Sequence, residues 1–251
     1  MPHPKYHWTR DKLDARDYIF NPKLSANSTV SAVDLRPNLS PIEDQGYLGS
    51  CTGQAIASLV EFLHKKAKKS IDVSRLFIYY QERVYEGTVR YDSGAYIRSG
   101  IKAVSSVGVP LESLWPYDAR KFAHKPSPAA YNNAATRKVL TYHRCADFAA
   151  VKNALKLGYP VVVGFDVYES FESDNVAITG IMPFPNIRRE QSLGGHAVTL
   201  VGYDDSTQRF IARNSWGTGW GDRGYFYMPY RVIQDTTMSD DFWIITSITN
   251  P

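Results

Sequence analysis

Three side chains in this 251-residue chain could do nucleophilic chemistry together: a thiol, an imidazole and a carboxamide. Cys51 lies in "DQGYLGSCTGQAIASLVEFLHKK", where a glycine-broken loop gives way to a helical apolar pattern. A thiol in the first turn of a helix feels the positive end of the dipole, which favours the thiolate, the form that attacks carbonyls. His196 follows two glycines in "SLGGHAVTLVGYDD" and heads an apolar strand pattern, so its ring can face a cleft that backbone approaches closely. Eighteen residues later, Asn214 precedes a glycine- and tryptophan-rich turn in "IARNSWGTGWGDRGYFYM". Each residue alone also suits an ordinary role: an inert buried thiol, a structural histidine, a turn asparagine.

These residues must be positioned by the elements around them. Ser50 is placed to cap a helix whose apolar residues Ala55, Ile56, Leu59, Val60 and Leu63 recur at helical spacing, with lysines gathered at its solvated end. Ser74 is expected to cap a second helix through "RLFIYYQERVYE", and Ser93 a third through "YIRSGIKAVSSVG", closed by Gly108 before Pro110. A proline-marked irregular crossing, "SLWPYDARKFAHKPSPAAYN", leads to six strand-like segments from "KVLTYHR" to "DFWIITSI", interrupted only by the helical period of "DFAAVKNALKLGY". A helical half followed by a mainly antiparallel β half is an α+β, two-lobed chain, and the cleft between lobes is the place for a ligand.

Composition narrows the function classes. At 43% hydrophobic and 22% charged the chain is ordinary globular protein, and its net charge of +4 comes without a basic block interleaved with aromatics, which disfavours nucleic acid as a partner. Two cysteines do not make a disulfide scaffold; Cys145 is read as a free structural thiol. The N-terminal twenty residues lack an apolar signal core and no apolar run reaches spanning length, so synthesis in the cytoplasm and no membrane partner are expected, with signal-independent export or delivery to a host cell left open. No metal or organic cofactor is expected.

Taken together, the three segments resemble those of the papain-like cysteine peptidases, the family of the cathepsins. "DQGYLGSC" is similar to the family's nucleophile block, "GGHAVTLVGY" to its histidine block and "NSWGTGWGDRGYFYM" to its asparagine block; "AVDLRP" at 32–37 resembles the start of the mature enzymes. The order Cys, His, Asn matches, and the 145-residue step from Cys51 to His196 suits the expected separation. The resemblance implies a papain-like fold with a central helix beginning at Cys51, a mainly helical lobe over about 31–135, and a β-barrel-like lobe over about 136–251. It implies a cysteine-type endopeptidase acting through a thioester. In it Cys51 is the nucleophile, His196 its proton partner, Asn214 the orienter of the imidazole, and Gln45 an oxyanion donor beside the backbone N–H of Cys51. Trp216 would shield the Asn214–His196 bond and Trp220 would wall the leaving-group side. Gly49, Gly94, Ala95, Ile97 and Gly195 would meet substrate, with "YDSGAYIRSG" pairing with extended peptide backbone and Ile97 giving an apolar or aromatic preference.

The chain also departs from the family. Leu48 and Thr52 stand where the family usually has a disulfide cysteine and an aromatic residue, which resembles microbial or viral branches. Ala95 replaces the second of two paired glycines, which puts close backbone approach there in question. Residues 1–30, with Pro2, Pro4 and Pro22 and the loop-like "SANSTVSA", are read as an arm too short for the family's long helical propeptide. Its stretch "DKLDARDYIF" is expected to cover the cleft as an inhibitory segment, to stabilise a lobe, or to remain a simple tail. "ESFESDNVAITGIMPFPNIRREQSLGG" is read as a rim loop. Partners are a peptide or protein substrate and the arm itself, in a monomer. Two other functions stay open: acyl transfer with an amine replacing water, and a non-catalytic binding module of the same fold.

Overall fold

The computed structural model describes residues 6–21 and 30–251; Pro2, Pro4, Pro22 and most of "SANSTVSA" lie outside the described residues. In chain order the regular elements are β1 (Ala32–Asp34), α1 (Cys51–Lys66), α2 (Arg75–Glu86), α3 (Ile97–Ser106), α4 (Pro128–Ala134), β2 (Val139–Arg144), α5 (Phe148–Lys156) and β3 (Val161–Tyr168). Then follow α6 (Asp174–Thr179), β4 (Ser192–Asp204), β5 (Arg209–Arg213), β6 (Tyr225–Pro229), α7 (Tyr230–Gln234) and β7 (Ser239–Ile248). A helical half thus precedes a β half, as the periodicities indicate.

The reason α1 is central lies in its composition. Every residue from Cys51 to His64 is buried, because one face packs on α2 and α3 and the other on β4 and β7. Ala, Gly and Ser at positions 53, 55, 57 and 58 permit this close approach on all sides; a Cβ added at Gly53 would stand 2.9 Å from the Arg75 carbonyl oxygen. Ser74 caps α2 by accepting from the N–H of Phe77, and Gly87, at φ +73°, closes it in the left-handed conformation.

Two expected caps fail. The Ser50 hydroxyl makes no cap bond and instead lies 2.6 Å from the Tyr117 hydroxyl. Ser93 caps nothing: its hydroxyl bonds Thr88 and the Gly94 carbonyl, and α3 starts later, after Tyr96. Residues 93–96 are left outside the helix, and Ala95 is available to pair. The irregular crossing contains α4, capped by Ser127 with Pro128 in its first turn, and the rim segment contains α6, capped by Ser173 and ended by Gly180 at φ +70°. Both helices are too short to show a period.

The sheet order is β2-β7-β3-β4-β5-β6, all antiparallel, with β1 sharing with β3 one edge of the long strand β4. Its path is open between β2 and β6, so the β lobe is an open antiparallel sheet and not a closed barrel. Cys51 and Cys145 are both free and buried, and burial raises the Cys145 thiol to about 12, far from reactive. No helix among the described residues is long and apolar enough to cross a membrane, and no cluster there could hold a metal ion.

Candidate active site

Cys51 is the first residue of α1 and is fully buried. Its sulfur is faced by the backbone N–H groups of Ala197, Thr52 and His7. Ala197 is the residue after His196 on β4, so strand and helix meet at the thiol. The 44–45 segment is fastened to 215–216: the N–H of Gln45 donates to the Ser215 carbonyl at 2.8 Å, and Asp44 bridges Trp216. That pairing brings the nucleophile block against the asparagine block, although they are about 170 residues apart in sequence.

His196 Nε2 lies 2.8 Å from Asn214 Oδ1, which also accepts from the N–H of Ser215 at 2.9 Å. An Nε2–H donating to Asn214 fixes the tautomer and leaves Nδ1 as the basic nitrogen. Nδ1 has no hydrogen-bond partner among the described residues. Trp216 stacks on the imidazole, centroids 5.0 Å apart and planes at 26°, and Trp220 meets Trp216 edge-on at 4.8 Å. The Asn214–His196 bond is therefore roofed by indole. Gln45 is buried and held at both ends of its amide: Nε2 donates to the Leu48 carbonyl at 2.9 Å, and Oε1 accepts from the Ser215 hydroxyl at 2.6 Å. An amide nitrogen carries two N–H groups, so one remains for an oxyanion.

The helix dipole does not by itself make Cys51 a thiolate here. Burial pushes its thiol up to about 11, with the buried Glu82 carboxylate adding to the rise, against the backbone N–H groups that favour the anion. Burial also holds His196 down at about 4, outweighing its bond to Asn214. Burial disfavours the charged form of both thiol and imidazole, and that burial comes from a cover.

The cover is the chain's own N-terminal segment. The Ala95 N–H donates to the His7 carbonyl at 3.2 Å, the Thr9 N–H donates to the Ala95 carbonyl at 3.4 Å, and the Trp8 N–H donates to the Gly195 carbonyl at 2.8 Å. Residues 7–9 thus lie as an added strand between the two lobes. Gly94, at φ +69°, and Gly49 make room for it: a Cβ at Gly94 would stand 1.8 Å from the His7 carbonyl oxygen, and one at Gly49 2.8 Å from the His7 ring. Ala95 is accommodated because its side chain packs away from the arm, in a buried cluster with Leu48, Leu76 and Tyr79. Tyr6 contacts the His196 and Trp216 rings and bonds Glu172 through its hydroxyl.

Beyond the cleft, the arm is clamped by charge. Asp17 takes a two-point bond from Arg98, and the Arg98 guanidinium also donates to the Lys12 carbonyl. The buried carboxylate of Asp11 accepts from the Arg98 N–H and from the Trp243 indole at 3.0 Å. Arg144 reaches Asp17, Asp240 and Asp241. Arg98 belongs to α3 and Arg144 to β2, so the arm ties the helical lobe to the sheet.

Of the residues singled out from sequence, Gln45, Cys51, His196, Asn214, Trp216 and Trp220 gather at one centre, and Gly49, Gly94, Ala95 and Gly195 line the strip occupied by the arm. Ile97 is fully buried in the same apolar cluster as Cys51 and Trp8. Sequence reasoning missed Trp8, Gly164 and Asp241, which form a slot on the sheet side of the cleft. The available signal was a tryptophan in an otherwise polar arm.

The papain family cysteine protease profile matches residues 29–244. An uncharacterized peptidase C1-like protein, L477, of Acanthamoeba polyphaga mimivirus is 45% identical over 251 residues, spanning 91% of this chain and 80% of the viral one. Cysteine proteinase 3 of Entamoeba histolytica is 25% identical; its alignment covers 83% of this chain and 65% of that protein. Among solved structures, xylellain, a cysteine protease from Xylella fastidiosa, superposes with a TM-score of 0.90 at 40% identity over 98% of each chain. With the family profile spanning most of its length and thiol, imidazole and carboxamide in one roofed site, the chain belongs to the papain family of cysteine proteases.

Proposed function

We propose that the protein is an endopeptidase that uses Cys51, His196, Asn214 and Gln45, and that its N-terminal arm keeps it latent. The observation carrying this reading is the alignment of His196: Nε2 is held by Asn214 under Trp216, while the N–H of the next residue, Ala197, faces the Cys51 sulfur. In the cleared site the Cys51 proton passes to His196 Nδ1 and the thiolate attacks the peptide carbonyl carbon. The oxyanion that forms accepts from the Cys51 N–H and the Gln45 amide. Its collapse breaks the C–N bond as His196 protonates the leaving amine, giving a thioester. Water, deprotonated by His196, then attacks the thioester, and the acid leaves with Cys51 regenerated.

The path of the arm supports internal cleavage. Tyr6 lies against Trp216 and Asp11 against Asp241, so the cleft accommodates a strand that extends to either side of the residue facing Cys51. Latency is supported by the same contacts: a strand across Gly94, Ala95 and Gly195 fills the strip where substrate backbone would pair. The test is covalent labelling with an epoxysuccinyl thiol-peptidase inhibitor on the full chain and on a chain starting at Ser31, each compared with Cys51→Ala and His196→Ala. The expected result is an adduct on Cys51 that forms much faster without the arm and is lost in both variants. Equal labelling of the two lengths removes the latency; no adduct in the shortened protein removes the peptidase assignment.

A further inference from the structure

Thr52, which departs from the family directly after the nucleophile, has a partner that the reaction above does not use. Its hydroxyl donates to Oε2 of Glu82, on α2, at 2.7 Å, while its N–H faces the Cys51 sulfur. Glu82 is fully buried, and its second oxygen, Oε1, has no hydrogen-bond partner among the described residues. That oxygen occupies the space of a missing side chain: a Cβ at Gly100, inside α3, would stand 2.3 Å from it. A glycine within a helix is destabilising against alanine, and here it makes room for the carboxyl. No cation answers this group. Arg83, its neighbour on α2, gives its guanidinium to the carbonyls of Tyr79, Val89, Tyr91 and Phe122. On α3, Arg98 turns to Asp17 and Lys102 to Asp14. From α1 come the Thr52 hydroxyl and the Cys51 thiol, and Glu86, one turn along α2, is a second carboxyl.

We infer that Glu82 is a positioning residue for the nucleophile: as a neutral acid it pins Thr52 behind Cys51, and because its ionisation and that of Cys51 oppose each other it limits thiolate formation at alkaline pH. This rests on the peptidase reading above. The neutral form follows from the surroundings. A carboxylate withdrawn from water with one hydroxyl donor and no counter-ion is far more costly than the acid. Burial accordingly pushes Glu82 up to about 8, with the Thr52 bond opposing the rise and Glu86 adding to it. The opposition follows from charge, since Thr52 touches both groups and two anions held by one residue repel through a dry interior. Below its titration Glu82 is uncharged and leaves Cys51 free to pass its proton to His196. Above it, a carboxylate stands behind the sulfur and holds that proton on. An aromatic residue at position 52 would have no hydroxyl for this link.

The test is made on the full chain, whose arm stays in place, and starts with a readout that needs no access to the cleft. The infrared difference between wild type and Glu82→Gln should contain a protonated-carboxyl C=O band at about pH 6 that fades above about pH 8. Thr52→Val keeps the shape of the side chain but removes the donor to the carboxylate, so in that background the band should persist to higher pH. A band already absent at about pH 6, or one indifferent to Thr52→Val, overturns the inference. Iodoacetamide labelling of Cys51 then reads the coupling. Wild type and Glu82→Gln should label at equal rates at about pH 7, where both carry a neutral group. At about pH 10 Glu82→Gln should be about threefold faster, because about tenfold more thiolate is partly offset by the lower nucleophilicity of a weaker base. A purely structural role would change the rate by the same factor at both pH values, and that result overturns the coupling. Failure of the epoxysuccinyl labelling described above would defeat the peptidase reading alone; the carboxyl band would still decide the state of Glu82.

Discussion

At the scale of single residues, the site is organised around keeping one proton in the right place. Asn214 holds the Nε2–H of His196, so Nδ1 is the nitrogen left to receive the thiol proton. Asn214→Ala removes that hold; in an arm-free protein it should lower kcat by about 10² or more, measured on a fluorogenic peptide, with stability little changed. Gln45→Ala deletes a side-chain oxyanion donor and should cost about 10²- to 10³-fold in kcat with a smaller effect on KM. The covered state makes a pH prediction. A thiol raised to about 11 is less than one part in a thousand thiolate at pH 7, and the thiolate fraction grows with pH. Iodoacetamide labelling of Cys51 in the full chain should therefore rise about tenfold per pH unit from 7 to 10 without a plateau. A plateau below pH 9 would show an ion pair already formed. The four residues proposed to act in catalysis were legible as candidates in the sequence because each sits in a block with its own local pattern. Asp241 and Gly164 were not, since their meaning depends on a strand from the other end of the chain.

At the scale of elements, helix α1 and strand β4 carry the proposed nucleophile and base, and their signals were strong: apolar residues at helical spacing in one and a continuous apolar run after two glycines in the other. The errors lay at boundaries. Ser93 looked like a cap by residue type, but the chain stays out of the helix through Tyr96 because Ala95 pairs with the arm on one side while its side chain packs on the other. That pairing was invisible to local propensity, which sees neither partner. The short α4 and α6 escaped for lack of a period. Strand β3 offers a direct test of the arm's seat. Gly164→Ala places a methyl where the Trp8 ring lies, so in the full chain it should speed Cys51 labelling by about tenfold or more while leaving the α1 register intact. An unchanged labelling rate would mean that the Trp8 slot contributes little to arm docking.

At the scale of the whole molecule, the arm serves both lobes. Residues 18–20 extend the β2 edge through paired bonds with Arg144, residues 7–9 fill the cleft, and Asp11 and Asp17 bridge α3 to the sheet. Loss of the arm exposes Arg98, Arg144 and Trp243 together, so the shortened protein should be more reactive and less stable, with a Tm lower by several degrees. Arg98→Ala in the full chain should move both quantities the same way but less far. The two-lobed architecture was legible from the change of period along the chain; a covering or packing role was among the readings of "DKLDARDYIF", but the residues that cross the cleft are 7–9, just before it, and the partners of Asp11 and Asp17 were not legible because they lie on distant elements. The central claim is a Cys51 nucleophile held latent by residues 6–11, and epoxysuccinyl labelling of the full chain against the chain starting at Ser31 tests it most directly. A Cys51 adduct forming at least tenfold faster in the shorter protein, and absent in its His196→Ala variant, is the predicted result; equal rates, or an adduct that survives loss of His196, would contradict it.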